Sequence, residues 1–223
     1  MSLRMQLNRR RKLRANDPEG TRARILDAAS DLFQSGGYHN TSVQDVKRTA
    51  RVTSGAFHHH FESKKALGLA VIHERVGTAL KEAWLEPLLA APAVMDGVNN
   101  AIAGISGGLR AQGFVRGCPV NNLAVELAFS DSEFRAALQS VFAEWQQVIA
   151  HRLKIEGVPP LFTGVDPAIL AGFVIAAYSG AMTRAKAEQS PAPLDSTMRL
   201  LTSLLRKSEP GKRTRICGKG RVA

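Results

Sequence analysis

The stretch TSVQDVKRTARVTSGAFHHHF, residues 41–61, divides into two short helices joined by a three-residue turn, and the rest of the chain is best read outward from it. Thr41 with Gln44 three residues on has the spacing of a capping box, which satisfies free N–H groups at a helix start. Val46 and Ala50 then share a face, with Val43 beside them. A second start signal, Thr53 or Ser54, follows at once, so the chain turns at Arg51-Val52-Thr53. Gly55, Ala56, Phe57 and Phe61 give the second helix a small, apolar inner side. Helices of about seven residues are too short to stand alone and must lean on neighbours. The outward side is Ser54, His58 and His59, with Thr53 and His60 at its margins and Lys64 and Lys65 beyond. These are hydrogen-bond donors, with nothing acidic before Glu62, and such a surface suits a phosphate-lined groove.

Before this unit, a helix is expected from about Thr21 to Ser35, opened by Asp17-Pro18-Glu19 and closed by Gly36-Gly37, with Ile25, Ala28, Ala29, Leu32 and Phe33 buried. After it, Ser63 caps a fourth helix running from Lys64 through Leu67, Ala70, Val71 and Val76 towards Trp84, its first turn a seat for phosphate. Net charge follows the same division. Residues 1–65 hold 13 Lys and Arg against 6 Asp and Glu, residues 66–205 hold 10 against 12, and residues 206–223 hold 7 against 1. A basic head on a nearly neutral body fits a polyanion-binding module joined to something else. The first 17 residues, with Arg4, Arg9, Arg10, Arg11, Lys12 and Arg14, read as a DNA-touching arm or a solvated tail; no apolar run follows, which argues against a secretory signal.

The 47 residues TRARILDAASDLFQSGGYHNTSVQDVKRTARVTSGAFHHHFESKKAL resemble, without a gap, the N-terminal domain of the TetR/AcrR family of transcriptional regulators. That resemblance implies that Thr41, Ser42 and Lys64 bind phosphate, while Gln44, Ser54, Gly55, His58 and His59 lie in or beside the major groove. It also makes helix four a lever that reports the state of a second domain to the DNA. Three positions depart from the family's usual pattern: Lys47 stands where Ala is common, Arg51 where Gly is, and His58 where Tyr is. Arg51 is expected at a turn of positive φ, at a cost of about 1 kcal/mol.

The expected fold is all-α: a basic arm over 1–17, a helix-turn-helix DNA-binding domain over 18–67, a ligand-binding and dimerisation domain over 68–206, and a basic, disordered tail over 207–223. With 44% hydrophobic and 6% aromatic residues in 223, a soluble helical core is affordable. A helix over about 94–112 is expected to be broken by Gly104, Gly107 and Gly108. Pro119 starts another, to Phe129, and Asp131 caps a third carrying Phe134, Leu138, Phe142, Trp145 and Leu153 at helical spacing. An aromatic stripe of this kind is core first; by the resemblance, Phe114, Phe129, Phe142 and Trp145 are also candidate linings of a ligand cavity. The uncharged run PAILAGFVIAAYSGAMT, 167–183, is too short and too rich in small residues for a membrane span. It reads as a helix buried on all sides. With Met198, Leu201, Leu204 and Leu205 of the last helix it would form half of a four-helix interface in a homodimer, as the resemblance implies.

Two cysteines, Cys118 and Cys217, fit a reducing cytoplasm and no disulfide framework. Cys118 precedes a helix start and lies two residues from Arg116, both of which favour a thiolate, so a redox or electrophile sensor stands beside the plainer reading of a core residue. Three successive helical histidines point 100° apart and do not converge on a metal. No phosphate loop, nucleophile motif or paired metal ligands mark an enzyme, and no cofactor is implied. The expected function is a ligand-responsive regulator, a repressor of a palindromic double-stranded DNA operator, released by a small-molecule effector. The alternatives are a sequence-independent architectural DNA binder and a thiol-based regulator acting through Cys118.

Overall fold

The computed structural model describes residues 17–205; the basic arm, the basic tail and Cys217 lie outside the described residues. Helix α1 (Pro18–Gly36) starts where Asp17 accepts the Gly20 N–H at 2.9 Å and ends at Gly37, whose φ of 87° only glycine adopts without strain. Ile25, Leu26, Ala28, Ala29 and Phe33 bury one side of it. Helices α2 (Val43–Ala50) and α3 (Ser54–His60) lean on that side through Val46, Ala50 and Phe57.

The cap of α2 lies one residue later than the spacing of Thr41 and Gln44 suggests. Ser42 accepts the Asp45 N–H at 3.1 Å while Asp45 accepts the Ser42 N–H at 3.0 Å. Aspartate closes this box as well as glutamine would, and it frees Thr41 to turn inward and donate its hydroxyl to the Gly37 carbonyl at 2.8 Å. Arg51 sits at φ 55°, ψ 48°, the left-handed turn expected of it.

Ser63 caps α4, which runs continuously over residues 64–90 with two π-helical turns, Ile72–Val76 and Lys81–Leu85. The following helices are α5 (Val94–Gln112), α6 (Pro119–Leu127), α7 (Ser132–Glu156), α8 (Pro167–Glu188) and α9 (Ala192–Leu205). Among the described residues there is no strand. The three glycines do not break α5; each costs a helix about 1 kcal/mol, and a buried stripe of Val94, Val98, Ala101 and Ile102 outweighs that. Helix α8 is not buried on all sides either: Ile169 is 68% and Phe173 47% exposed, on a face that also carries the exposed Ala168, Ala176 and Gly180. Similarly, Met198, Leu201 and Leu205 of α9 are buried inside the protomer, and Leu200 and Leu204 face outward instead.

One core serves head and body. Trp84 of α4, Trp145 of α7 and Tyr178 of α8 meet with ring centroids 4.8 to 5.4 Å apart. Tyr38, just after α1, packs edge-on against both Phe33 and Phe134 at 5.1 Å. Gly68 permits this docking, since a Cβ there would lie 2.8 Å from the Tyr38 ring and 2.9 Å from Phe134.

Candidate nucleic-acid interface and effector cavity

Along the outer surface of the helix-turn-helix, Ser42, Gln44, Thr53, Ser54, Gly55, His58 and His59 are all exposed and His60 is half-buried. Two of these hydroxyls are engaged: Ser42 accepts the Asp45 N–H at 3.1 Å and donates to the Asp45 carboxylate at 2.6 Å, and Thr53 accepts the Ala56 N–H at 3.2 Å. Burial beside His59 and Arg22 pulls the His60 imidazole below its ordinary range, so it faces neutral solution uncharged. Arg48 is exposed and paired with Asp45 at 2.6 Å.

Three expected contacts have other duties. Thr41 is buried with its hydroxyl spent on Gly37, so it is corrected from a phosphate ligand to a turn lock. Lys65 is drawn to Asp131 at 2.8 Å and Glu133 at 2.6 Å, at the start of α7. Those hydrogen bonds raise its pKa and make it a clamp between head and body. Lys64 is half-buried over the Tyr38 ring at 4.3 Å and donates to the His39 carbonyl at 3.3 Å.

Behind the head lies a cleft-like cavity of about 360 Å³, open on one side and bounded mainly by α4, α5, α6 and α8. Helix α4 supplies Val76, Ala79, Leu80, Ala83 and Trp84; α5 supplies Gly104, Ile105, Gly108 and Leu109. The remaining wall is Arg116, Gly117, Cys118, Pro119 and Val120 at and before the start of α6, Tyr178 and Met182 of α8, and two amides, Gln34 of α1 and Gln112 of α5. None of the expected linings is there. Phe129 points outward, 97% exposed; Phe114 is 42% exposed and lies under the Arg116 guanidinium at 5.0 Å. Trp145 is fully buried behind Trp84, and Phe142 stacks on Trp145 at 6.4 Å. The α7 stripe is thus core, and it reaches the cavity only through Trp84 and Tyr178.

The walls and the head are joined by hydrogen bonds. At the far end of α6, Glu126 accepts the Tyr38 N–H at 2.8 Å and the His39 N–H at 2.6 Å, in the turn that leads into α2. Gln34 of α1 donates to the Gly117 carbonyl at 2.8 Å and accepts from Asn122 of α6 at 3.1 Å. Arg22 of α1 grips Glu74 of α4 with two hydrogen bonds of 2.5 Å, and Arg75 pairs with Asp27 at 2.7 Å.

Comparison with known proteins places this arrangement. Residues 25–71 match the family model described as bacterial regulatory proteins, tetR family, and residues 94–200 match that of the LmrA/YxaF-like transcriptional regulator C-terminal domain. The chain is 32% identical over 179 residues to the transcriptional regulator AcuR of Cereibacter sphaeroides, covering 78% of this chain and 80% of that one. It belongs to the TetR family of transcriptional regulators. The HTH-type transcriptional repressor DhaR of Mycobacterium sp. is 29% identical over 193 residues, 82% of this chain and 91% of the relative. Among solved structures, the regulatory protein TetR from Rhodobacter sphaeroides superposes with a TM-score of 0.73 at 29% identity, over 82% of this chain and 98% of the other.

Within this TetR-family chain, Cys118 is a buried core residue, the plainer of its two readings, and the features that favour a thiolate do not prevail. The N–H groups of Val120 and Asn121 do face it, and the Tyr178 hydroxyl bonds to it. Burial nonetheless outweighs all three and pushes the thiol up, while Arg116 turns away towards Asp31 at 3.5 Å. Burial likewise raises the Tyr178 hydroxyl well above its ordinary value, so the cavity floor is uncharged at neutral pH. Glu126, Gln34 and Asn122 escaped sequence reasoning because isolated polar residues in helical runs carry no motif.

Proposed function

We propose that this regulator represses transcription as a homodimer on a two-fold symmetric operator and releases it when a small, uncharged, mostly apolar effector enters the cavity. One observation supports the switch above all. Helices α4 and α6, which wall the cavity with Trp84 and Val120, are the same helices that hold the head through Glu74 and Glu126. An effector that displaces either wall displaces the head with it. Because α4 and α6 act on different ends of α1, a small spread of the walls becomes a rotation of α2 and α3.

The class of effector follows from the lining. No carboxylate lines the cavity among the described residues, and the single guanidinium, Arg116, already faces Asp31 and Phe114. A charged guest would therefore enter without a partner, at a desolvation cost its binding must overcome. The volume suits a molecule the size of about a dozen waters. On the DNA side the reading assigns Ser42, Gln44, Ser54, Gly55, His58 and His59 to the operator, with Thr53, His60 and Lys64 at the margin.

The test is a titration with matched uncharged and charged compounds, reading tryptophan fluorescence and operator affinity on the same samples. Trp84 is in the wall, so a guest alters its emission. An uncharged compound that does so should lower operator affinity about 100-fold, which requires about 2.7 kcal/mol of preference for the released state. Compounds that fill the cavity and leave DNA affinity untouched would remove the switch from the proposal.

A further inference from the structure

Lys47 is the one buried charged residue among the described residues, with 8% of its surface exposed. Its side chain reaches from α2 to the start of α3, where the ammonium donates to Ser54 Oγ, 2.7 Å away. An ammonium carries three donors and needs acceptors for them when withdrawn from water. Ser54 is its one hydrogen-bonding partner among the described residues. The acid on its own helix, Asp45, is committed to Ser42 and Arg48.

Ser54 is exposed at the first position of α3, on the outward surface. By accepting from Lys47, its oxygen leaves the hydroxyl hydrogen free to point away from the protein. The pair thus presents an ammonium and a hydroxyl from adjacent points, both donors, at the edge of the reading surface. An alanine at position 47, common in the family, has no donor to offer.

We infer that Lys47 and Ser54 act as one two-donor contact that grips a single hydrogen-bond acceptor on the operator, a phosphate oxygen, and that Lys47 is therefore a recognition residue. The inference rests on the DNA-facing placement of Ser54 proposed above. Burial of the stem and the bond to Ser54 fix the ammonium before DNA arrives, so little side-chain freedom is lost on binding.

The experiment begins with the full chain enriching bound sequences from a random duplex pool. Affinity of the enriched duplex is then measured across a salt series for the parent, Lys47→Met, Ser54→Ala and the double variant, with thermal melts as a folding control. Methionine keeps the buried stem and removes the charge. The expected result is that each single variant binds about 10-fold more weakly and that the double variant is no worse than about 2-fold below Lys47→Met. Because the dimer carries two such contacts, the salt dependence of Lys47→Met should fall by about 1.8 counterions, with that of Ser54→Ala unchanged. An unchanged slope with relaxed preference at one base pair would overturn the inference, because the acceptor would then be a base edge and not a phosphate oxygen. Parental affinity in either single variant, or losses that multiply in the double, would overturn the inference. Should Lys47→Met lose its fold, Ser54→Ala decides, because parental binding by that surface variant excludes the contact. A parent that enriches no sequence would sink the placement of the reading surface, a failure distinct from any ratio between variants.

Discussion

Glu126 carries more of this structure than its place in an unremarkable helical run suggests. Its two oxygens hold consecutive backbone N–H groups, those of Tyr38 and His39, in the turn that feeds α2. Hydrogen bonds to a charged acceptor are worth about 1.5–3 kcal/mol when the donors are partly shielded. Glu126→Ala is therefore expected to speed hydrogen exchange of the Tyr38 and His39 amides by 10-fold or more, with the α8 amides unchanged; equal exchange in the two proteins would show that the clamp holds nothing. A second single-residue effect has the opposite sign. Arg51 occupies the left-handed region, so Arg51→Gly should stabilise the chain by about 1 kcal/mol, read as a rise in melting temperature.

At the scale of elements, the sequence was legible mostly where a local rule decides the outcome. The helix-turn-helix, the caps at Asp17, Ser63 and Asp131, and the turn at Arg51 all follow from hydrogen-bond bookkeeping within a few residues. Apart from the α2 cap, where two overlapping capping spacings compete and Ser42 with Asp45 wins, misreadings fell where tertiary packing decides. Gly104, Gly107 and Gly108 look like breaks, yet α5 continues because its other face is buried; a Cβ at any of the three would meet open space. The aromatic stripe of α7 faces a core already shared with α4 and α8, and no periodicity in α7 alone reveals that. These glycines yield a prediction: Gly108→Leu should raise helix stability by up to about 1 kcal/mol while filling the cavity. Acrylamide, a small neutral quencher, should then reach Trp84 more slowly than in the parent. Unchanged quenching would mean that the glycine face of α5 does not bound the cavity beside Trp84.

Helix-to-helix ion pairs set a pH dependence at the same scale. The Arg22 hydrogen bonds hold the Glu74 carboxyl below its usual range, and Lys65 does the same for Asp131. A carboxyl depressed in the folded chain contributes stability above its unfolded pKa and loses it as pH falls through the folded value. The seat of the head on the body should thus weaken below about pH 4. Exchange of α1 amides compared at pH 7 and near pH 3.5, each corrected for the intrinsic rate, measures this; protection that falls no more in α1 than in α8 would contradict it.

For the whole molecule, the outward faces of α8 and α9 are the natural place for a second copy. Ile169, Phe173, Leu200 and Leu204 are exposed apolar residues, with Ala168, Ala176 and Gly180 allowing close approach on α8. Phe173→Glu should leave the protomer folded, shift sedimentation from dimer to monomer, and lower operator affinity by 100-fold or more, because one reading head makes half the contacts. A dimer that persists in Phe173→Glu would place the interface elsewhere. Salt separates the two broad accounts of DNA binding: counterion release gives affinity for any duplex, while a fixed pair of reading heads demands spacing and symmetry.

The most direct test of a dimeric, sequence-reading regulator is enrichment of bound duplexes from a random pool at two salt concentrations. The account predicts a palindrome whose half-sites lie about one helical turn apart, enriched more sharply at the higher salt because non-specific binding is shed first. Binding that is blind to sequence and vanishes at the higher salt would contradict it, leaving the basic ends of the chain as the source of its affinity for DNA.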